Sequence, residues 1–339
     1  MNSARLQEIT RRYAGLRVAV VGDFCLDRYL EIDPARSETS IETGLAVHNI
    51  VRVRAQPGAA GTVLNNLAAL GVGEILPVGF CGDDGEGFEL RRALAALSGV
   101  DLDHFVTTPL RHTFTYCKPL VLEPGRPPRE LNRLDSKNWT PTPAEVAGRI
   151  VDSLAALRAG VDAVVVMDQV DLPGTGVITG DVLPALAAFP PEMPVLADSR
   201  RGLRGYPPLI FKMNAAELGA LMNLQTAPDV GAVKAAAQEL AARNRRVVFV
   251  TMAERGIVGA TPGGEIVHRP ALPVRGPIDI VGAGDSVTAN LAAALAAGAS
   301  PAEAVELAIL ASSLVIHQLG TTGTANVAQL AALNDSTPA

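Results

Sequence analysis

The chain has 339 residues, of which 48% are hydrophobic and 4% aromatic, and its net charge at pH 7 is −6. This length fits one large α/β domain or two smaller ones, and the negative charge gives no electrostatic basis for binding nucleic acid or an anionic membrane surface. The three cysteines have no CxxC spacing, which predicts reduced thiols in a cytoplasmic protein. The histidines have no paired ligand spacing, so no zinc site is predicted, and no apolar run is long enough to predict a membrane span.

The N-terminal half begins with a β-branched run, residues 16–21, that predicts a buried strand. Asp27 follows shortly after it, near the carboxyl edge where ligands gather in parallel sheets. A glycine turn at 57–61 then leads into a helix that Gly71 ends. The other predicted elements of this half are a strand at 75–80, a helix at 86–97, and extended segments at 47–54, 113–122 and 131–134 that form a small separate sheet.

In the C-terminal half, strands alternate regularly with helices. This alternation predicts a mostly parallel sheet covered by helices on both faces, which is a three-layer α/β/α fold. We predict one domain over residues 1–339, with the small sheet, from about 28–56 and 112–136, as a lid. The predicted helices are 143–158, 176–188, 214–222, 230–242, one from 285, 302–317 and 326–333, and the predicted strands are 163–167, 195–198, 209–213, 247–251 and a hairpin at 256–268.

The segment 279–285 reads Asp-Ile-Val-Gly-Ala-Gly-Asp and opens a run of small apolar residues. Its glycines allow a sharp turn, and a helix starting there directs its unpaired amides and the positive end of its dipole at that turn. Such a junction favours phosphate. Asp285 could accept the proton of an attacking hydroxyl while the amides of Gly282, Ala283 and Gly284 hold the phosphoryl group. An ordinary helix cap is the simpler alternative.

Two further segments leave the ends of predicted strands. Asn214 and Glu217 suit either a reciprocal helix cap or the placement of waters around Mg²⁺ beside a triphosphate. Residues Thr251 to Gly256 suit either a plain β-turn or a loop that wraps a nucleotide. The chain has no GxxxxGK[ST] motif, and the glycine spacing after the strand at 163–167 departs from the dinucleotide fingerprint, so neither a Walker-type phosphate loop nor a nicotinamide enzyme is predicted.

Taken in order along the chain, these segments resemble the ribokinase-like sugar kinase family, also called the PfkB family. The glycine turn that opens an alanine-rich helix is the most specific of them, and residues 319–323 complete the series. Within the family, residues 23–29, 40–42 and 132–135 are most similar to heptose-phosphate kinases, the kinase half of ADP-heptose synthesis enzymes. The sequence has no HxGH motif of the nucleotidyltransferase that follows in bifunctional relatives, so we expect only the kinase half.

The resemblance implies an ATP-dependent kinase that uses Mg²⁺ and phosphorylates a hydroxyl of a sugar or sugar phosphate. It also implies a homodimer that forms through the lid. For catalysis, the resemblance implies Asp285 as the base and the amides of Gly282, Ala283 and Gly284 at the γ-phosphoryl group. For ATP binding, it implies Asn214, Glu217, Thr251 and Gly256. For the cations, it implies Glu217 at Mg²⁺ through water, and Asp279 and Val281 at K⁺.

The resemblance also implies an acceptor site, and here the sequence departs from the family. Ala59 stands where the family usually has glycine, and Thr62 replaces an asparagine amide by a hydroxyl. The altered turn leaves two alternatives open: a nucleoside kinase of the same fold, and a non-catalytic regulator that binds a sugar or nucleotide. The implied acceptor residues are Asp27, Gly58, Ala59 and Thr62, with Arg133 and Arg200 for a substrate phosphate, although surface ion pairs explain both arginines equally well.

Overall fold

The structure is a computed structural model that describes residues 1–224 and 228–336. The strands in this part of the chain are β1 (Arg17–Gly22), β2 (Phe24–Ile32), β3 (Glu38–Thr39), β4 (Ala46–Val47), β5 (Ile50–Ala59), β6 (Glu74–Gly82), β7 (Phe105–Thr108), β8 (Phe114–Val121), β9 (Arg129–Glu130), β10 (Leu134–Ser136), β11 (Ala163–Asp168), β12 (Val195–Ser199), β13 (Ile210–Asn214), β14 (Val248–Thr251), β15 (Ile257–Ala260) and β16 (Ile266–Arg269). The helices are α1 (Ser3–Thr10), α2 (Ala60–Ala69), α3 (Gly85–Ala95), α4 (Ala144–Leu157), α5 (Val182–Ala187), α6 (Ala215–Met222), α7 (Val230–Asn244), α8 (Ala283–Ala296), α9 (Pro301–Val315) and α10 (Val327–Ser336).

Over the described residues, nine strands form the main sheet in the order β16-β15-β14-β13-β12-β11-β1-β6-β7. Neighbours from β7 to β14 are parallel, and β15 and β16 pair antiparallel at one end. Parallel strands bring their carboxyl ends to one edge of the sheet, which is where ligands bind in such folds. The predicted mostly parallel sheet is confirmed.

Side-chain alternation along β1 divides the core into two halves. Val18 and Val20 belong to the cluster under α1, α2, α3, α8, α9 and α10, whereas Ala19 and Val21 belong to the cluster under α4, α5, α6 and α7. Because successive side chains of a strand point to opposite faces, a strand buried on both faces has to be apolar throughout. The predicted three-layer α/β/α arrangement is therefore confirmed.

A second, smaller sheet has the strand order β10-β8-β2-β5, and β9 pairs with β8. Its central strand, β2, pairs parallel with β8 and antiparallel with β5. β2 begins at Phe24, directly after β1, so the small sheet starts before residue 28, where the sequence analysis placed it. Phe24 and Leu26 are buried in the main core, which anchors this strand to the main sheet.

Several predictions were wrong. The helix predicted at 176–188 is limited to α5, α8 begins at Ala283 rather than at 285, and α1, β2 and β7 were not predicted. The segment before α5 is held as a loop because the amides of Gln169, Val170 and Val177 donate to the Asp23 carboxylate at 2.8, 3.0 and 2.7 Å. Among the described helices, none combines the length and apolar content needed to cross a bilayer.

Candidate active site

The start of α8 is an open helix terminus. Gly282 occupies the N-cap position with φ 81°, and no side chain caps the helix. The Ala283 amide donates to the Ile280 carbonyl at 3.2 Å, whereas the amides of Gly282, Gly284 and Asp285 have no hydrogen-bond partner in the described part of the chain. Of the three amides predicted to hold a phosphoryl group, that of Ala283 is therefore already engaged. The amide of Asp285 itself is available instead.

The surroundings of this turn constrain Gly282 more strongly than Gly284. The positive φ of Gly282 disfavours other residues, and a Cβ there would lie 3.2 Å from the Cβ of Thr322. A Cβ on Gly284 would lie 3.3 Å from the Lys212 ammonium nitrogen. The turn is thus narrow on one side and faces a cation on the other.

Lys212 is a site residue that the sequence analysis missed. It is buried in β13, and its Nζ lies 2.6 Å from Oδ2 of Asp198, which also accepts from Thr288 Oγ1 at 3.1 Å. Burial disfavours the charged ammonium, but the Asp198 carboxylate outweighs this effect and raises the pKa of Lys212. A fixed positive charge therefore lies beside Gly284. A lysine inside a buried apolar strand was the available signal, since lysine is almost never buried unpaired.

Asp285 is half-buried in the first turn of α8. Burial raises its pKa to about 7; the Lys212 ammonium opposes this rise, the Asp198 and Asp27 carboxylates add to it, and the Arg200 guanidinium opposes it. A carboxyl group with a pKa near neutrality is well matched to accept a proton and return it near pH 7.

Asn214 and Glu217 form the reciprocal cap of α6. The Glu217 amide donates to Asn214 Oδ1 at 2.9 Å, and the Asn214 amide donates to Glu217 Oε2 at 2.7 Å. Burial raises the pKa of Glu217, and the bond from Asn214 opposes that rise. The second carboxylate oxygen of Glu217 accepts no hydrogen bond from the described residues, so it fits a water on Mg²⁺.

Thr251 and Gly256 lie at the same edge, next to Asn214. Asn214 and Thr251 are register partners of β13 and β14, and Thr251 Oγ1 donates to the Met213 carbonyl at 3.4 Å. Gly256 has φ 86°, and a side chain there would collide with the carbonyl of Arg269. Both residues therefore shape the turn between β14 and β15, whatever else they contact.

Asp27 and Gly58 lie side by side on the small sheet. Asp27 is buried in β2, and the Lys118 ammonium donates to its Oδ1 at 3.0 Å. A Cβ on Gly58 would lie 2.6 Å from Asp27 Oδ2, so this position requires glycine. Gln56, the register partner of Asp27, donates to Thr322 Oγ1 at 2.8 Å, and Thr322 packs against Gly282, so the small sheet and the start of α8 border one site.

The departures at 59 and 62 lie at the start of α2. Ala59 is the N-cap residue with φ 53° and ψ −117°, a conformation that favours glycine. The fold holds it there, since the Ala60 amide donates to the Asp23 carbonyl at 3.0 Å. Thr62 is buried in the first turn of the same helix. The alanine thus keeps the glycine-type turn at a cost in backbone strain.

The two predicted phosphate ligands are placed differently. Arg133 donates to both oxygens of Asp135, at 3.1 and 2.6 Å, and lies 4.8 Å above the Tyr116 ring. Arg200 is exposed, and its closest carboxylate, Asp171, is 3.9 Å away. Arg200 is the less committed cation, and its charge opposes the rise in the pKa of Asp285.

Asp279 connects the phosphate turn to the loop at 319–323. Its Oδ1 accepts from the Val281 amide at 3.0 Å and its Oδ2 from the Gly320 amide at 3.1 Å. The described residues contain no group of three or more His, Cys, Asp or Glu side chains suited to a metal. The Asp279 carboxylate keeps lone pairs free, and an oxygen ligand of this kind suits a hard cation rather than a soft transition metal.

Residues 186–328 match the model of the pfkB family carbohydrate kinases. The bifunctional protein HldE of Hyphomonas neptunium is 32% identical over 326 residues, which cover 94% of this chain and 64% of the relative. HldE of Caulobacter sp. strain K31 is 34% identical over 328 residues, 93% of this chain and 62% of the relative. The chain therefore spans less than two thirds of the length of these curated relatives.

Solved structures show the same arrangement of strands and helices. Escherichia coli phosphofructokinase-2 in complex with potassium matches with a TM-score of 0.71 at 19% identity, covering 95% of this chain and 99% of that chain. Arabidopsis thaliana ribokinase complexed with ribose and ATP matches with a TM-score of 0.67 at 20% identity, covering 94% and 98%. At these identities the likeness establishes a shared fold.

Proposed function

We propose that this chain, a carbohydrate kinase of the PfkB family with the ribokinase-like fold, transfers the γ-phosphoryl group of ATP to a hydroxyl of a sugar or sugar phosphate, with a heptose 7-phosphate as the leading acceptor class. Family and fold were both predicted from the sequence. The observation that carries the proposed reaction is Asp285, whose pKa is about 7, beside the unpartnered amides of an open helix start.

In the proposed reaction, Asp285 accepts the proton of the acceptor hydroxyl as the hydroxyl oxygen attacks the γ-phosphorus, the bond from the γ-phosphorus to the bridging oxygen breaks, and ADP leaves. The free amides of Gly282, Gly284 and Asp285 stabilise the charge on the transferring group, and the Lys212 ammonium adds a cation beside Gly284. Phosphoryl transfer depends mainly on positioning and on electrostatic stabilisation. Removing one oxyanion-type donor typically costs about 3 kcal/mol.

The nucleotide is proposed to lie along the edge formed by Asn214, Thr251 and Gly256. Mg²⁺ would neutralise the β- and γ-phosphate oxygens, and the free oxygen of Glu217 would hold one of its waters. K⁺ would be held by Asp279 together with backbone oxygens, including that of Val281. There it would add positive charge next to the phosphate turn.

The acceptor is proposed to lie between α8 and the small sheet, with Asp27 accepting from its hydroxyls and Gly58 allowing close approach. Ala59 and Thr62 line the adjoining turn. Arg200 and Arg133 remain proposed ligands of a substrate phosphate, with Arg200 favoured because Asp135 already occupies Arg133. The altered turn at Ala59 keeps a nucleoside acceptor as the second candidate.

The small sheet is proposed to act as a lid within one domain and as the interface of a homodimer. Its face away from Asp27 carries a depression that supports a contact of mixed character, lined by the apolar Leu30, Ile32, Ile50, Pro119, Leu131 and Leu134 and by the polar His48, Arg129, Glu130 and Asn132. Light scattering that gives the mass of a monomer at working concentration would contradict this assembly. A cytoplasmic location is also proposed, supported by the three free cysteines.

Two measurements test the proposed function. ADP formation is followed with ATP, Mg²⁺ and K⁺ against neutral sugars, sugar 6- and 7-phosphates, and nucleosides, and we expect the highest kcat/KM with a sugar phosphate. A crystal structure with a non-hydrolysable ATP analogue should place the terminal phosphate at the start of α8. Binding of ligands without ADP formation across the panel would favour a non-catalytic regulator, and a terminal phosphate far from α8 would refute the reaction proposed above.

A further inference from the structure

The small sheet carries a row of three side chains that the proposed reaction does not use. Lys118, Tyr29 and Arg54 are register partners on β8, β2 and β5, so they lie side by side on one face. The Lys118 ammonium lies 4.9 Å and the Arg54 guanidinium carbon 4.6 Å from the centre of the Tyr29 ring. Two cations are therefore held against one aromatic ring. We call this set the cationic row.

The cationic row adjoins the proposed acceptor site. Along β2, Cys25, Asp27 and Tyr29 point to the same face. Gln56, the register partner of Asp27, donates to Thr322 Oγ1 at 2.8 Å, and Thr322 packs against Gly282 at the start of α8, whereas Tyr29 lies two residues further along β2. Asp27 therefore lies between the base and the cationic row. Two residues along a strand advance about 7 Å, on the scale of one sugar ring.

Both cations keep donors free. The Lys118 ammonium donates to Asp27 at 3.0 Å and to the Tyr29 hydroxyl at 3.4 Å, which leaves its third N–H. Arg54 Nε donates to Glu31 at 2.6 Å, and the other N–H groups of its guanidinium have no hydrogen-bond partner among the described residues. Each cation is thus fixed by a carboxylate and still offers N–H groups to a ligand.

Lys118 and Arg54 are the least exposed cations on this face. Lys118 and Arg54 are balanced by Asp27 and Glu31. Arg52 lies opposite Glu31 on β5, is exposed, and forms no ion pair within the described residues. Glu130 on β9 lies on the same face, opposite Leu120, so three cations face three carboxylates, besides the paired Arg133 and Asp135. The side chains of Lys118 and Arg54 are only 16% and 31% exposed, so their charges are less screened than those of surface residues.

We propose that Lys118 and Arg54 bind a phosphate group carried by the acceptor sugar, at the end remote from the hydroxyl that Asp285 activates. This inference rests on the proposed function and narrows its acceptor class to sugars that already carry a phosphate monoester. The two cations flank the Tyr29 ring, so a phosphate above that ring would accept from the guanidinium on one side and from the ammonium on the other. This assignment replaces Arg200 and Arg133 as ligands of the substrate phosphate, because Arg133 is held by Asp135 and the charge of Arg200 acts on Asp285.

Calorimetric titration without ATP tests the inference directly. At about 0.15 M salt, the protein is titrated with ribose and ribose 5-phosphate, fructose and fructose 6-phosphate, mannose and mannose 6-phosphate, and sedoheptulose and sedoheptulose 7-phosphate. In at least one pair we expect the phosphorylated sugar to bind about 30-fold tighter or more. R54M should reduce that preference about tenfold or more, and K118M should reduce it further because Asp27 also loses its partner.

The control is R126M, which removes an exposed cation from the loop after β8, and it should keep the parental preference. If no pair shows a preference for the phosphorylated sugar, or if R54M keeps the preference, the inference is wrong. Turnover separates the two proposals. In one outcome, the parental protein binds phosphorylated sugars, R54M loses this binding, and the parent forms no ADP. That result would contradict the kinase reaction and support this phosphate site. ADP formation with neutral sugars alone would leave the reaction standing and overturn this site.

Discussion

The starts of α8 and α6 lie at the same edge of the main sheet and use their first amides in opposite ways. At α6, Asn214 and Glu217 satisfy each other's amides at 2.9 and 2.7 Å. At α8 no side chain caps the helix, and the amides of Gly284 and Asp285 lack partners in the described residues. In a capped helix the first amides already donate to a side chain, whereas in an uncapped helix they are available to a ligand. An acid in the first turn is therefore not enough to identify a phosphate site.

The two carboxylates of these helix starts also differ. Burial raises the pKa of both Asp285 and Glu217, but Glu217 accepts an amide hydrogen bond that opposes the rise. The carboxylate of Asp285 accepts no hydrogen bond from the described residues, and its pKa reaches about 7. The open start therefore combines free donors with an available base. The predictions below test whether this difference is functional.

The largest effect is expected from D285N. The amide keeps the shape of the side chain but cannot accept a proton from the acceptor hydroxyl, so kcat should fall by about 10³-fold or more. Steady-state ADP formation under saturating substrates measures the change. Turnover at the parental rate would remove Asp285 from the base role.

The same variant carries its own control for folding. Since the pKa of Asp285 is raised from 3.8 to about 7 in the folded protein, its contribution to stability is fully present below pH 4 and is lost as the pH rises through 7. D285N should therefore be more stable than the parent at pH 8, by about 2 kcal/mol after allowing for partial exposure, and equally stable near pH 4. Urea unfolding at the two pH values separates a catalytic loss from a folding defect.

The next effect concerns the pH dependence of activity. Because Asp285 must be ionised to accept a proton, kcat/KM should fall about tenfold for each pH unit below about 7 and level off above it. A profile of kcat/KM between about pH 5.5 and 8.5 measures this. A flat profile through pH 6 would mean that another group limits the reaction.

A smaller effect is expected when the closed start of α6 is opened. N214A removes the acceptor of the Glu217 amide and should cost about 1 kcal/mol of unfolding free energy, as for other N-cap truncations. The pH profile of kcat/KM should keep its shape, because Asp285 is unchanged. If N214A instead shifts that profile, the two helix starts are not independent.

The smallest effect tests a third helix start, that of α2. Ala59 has a positive φ, so A59G should relieve backbone strain. Glycine also makes the unfolded chain more flexible, which offsets part of this gain, and we expect the unfolding free energy to rise by a few tenths to about 1 kcal/mol. Chemical denaturation of A59G against the parent measures it. Destabilisation by A59G would show that the methyl group packs well enough to outweigh the strain.

Much of the fold could be predicted because its signals are local. The apolar strands β1 and β11, and the capped helix α6, stood out from residue pattern alone. The helix predicted at 176–188 failed because the chain before α5 is held by Asp23, more than 140 residues away in sequence. Long-range hydrogen bonds of this kind leave no periodicity in the segment that they hold.

The site was predictable in its motifs and not in its charges. The turn at 282–285 and the pair Asn214 and Glu217 were recognisable from spacing. Lys212 and Lys118 were missed, because the ion pair that holds each of them is made with a carboxylate on a neighbouring strand. Strand register decides which lysine meets which acid, and it is set by the packing of the whole sheet.

The contact between Gln56 and Thr322 has a thermodynamic consequence. Gln56 Nε2 donates to Thr322 Oγ1 at 2.8 Å, and Thr322 packs against Gly282. A strand of the lid is thus bonded to the wall of the phosphate turn. When one substrate orders this junction, the other binds without that entropic cost. By linkage, ATP then raises the affinity for the sugar substrate by the same factor by which the sugar raises the affinity for ATP.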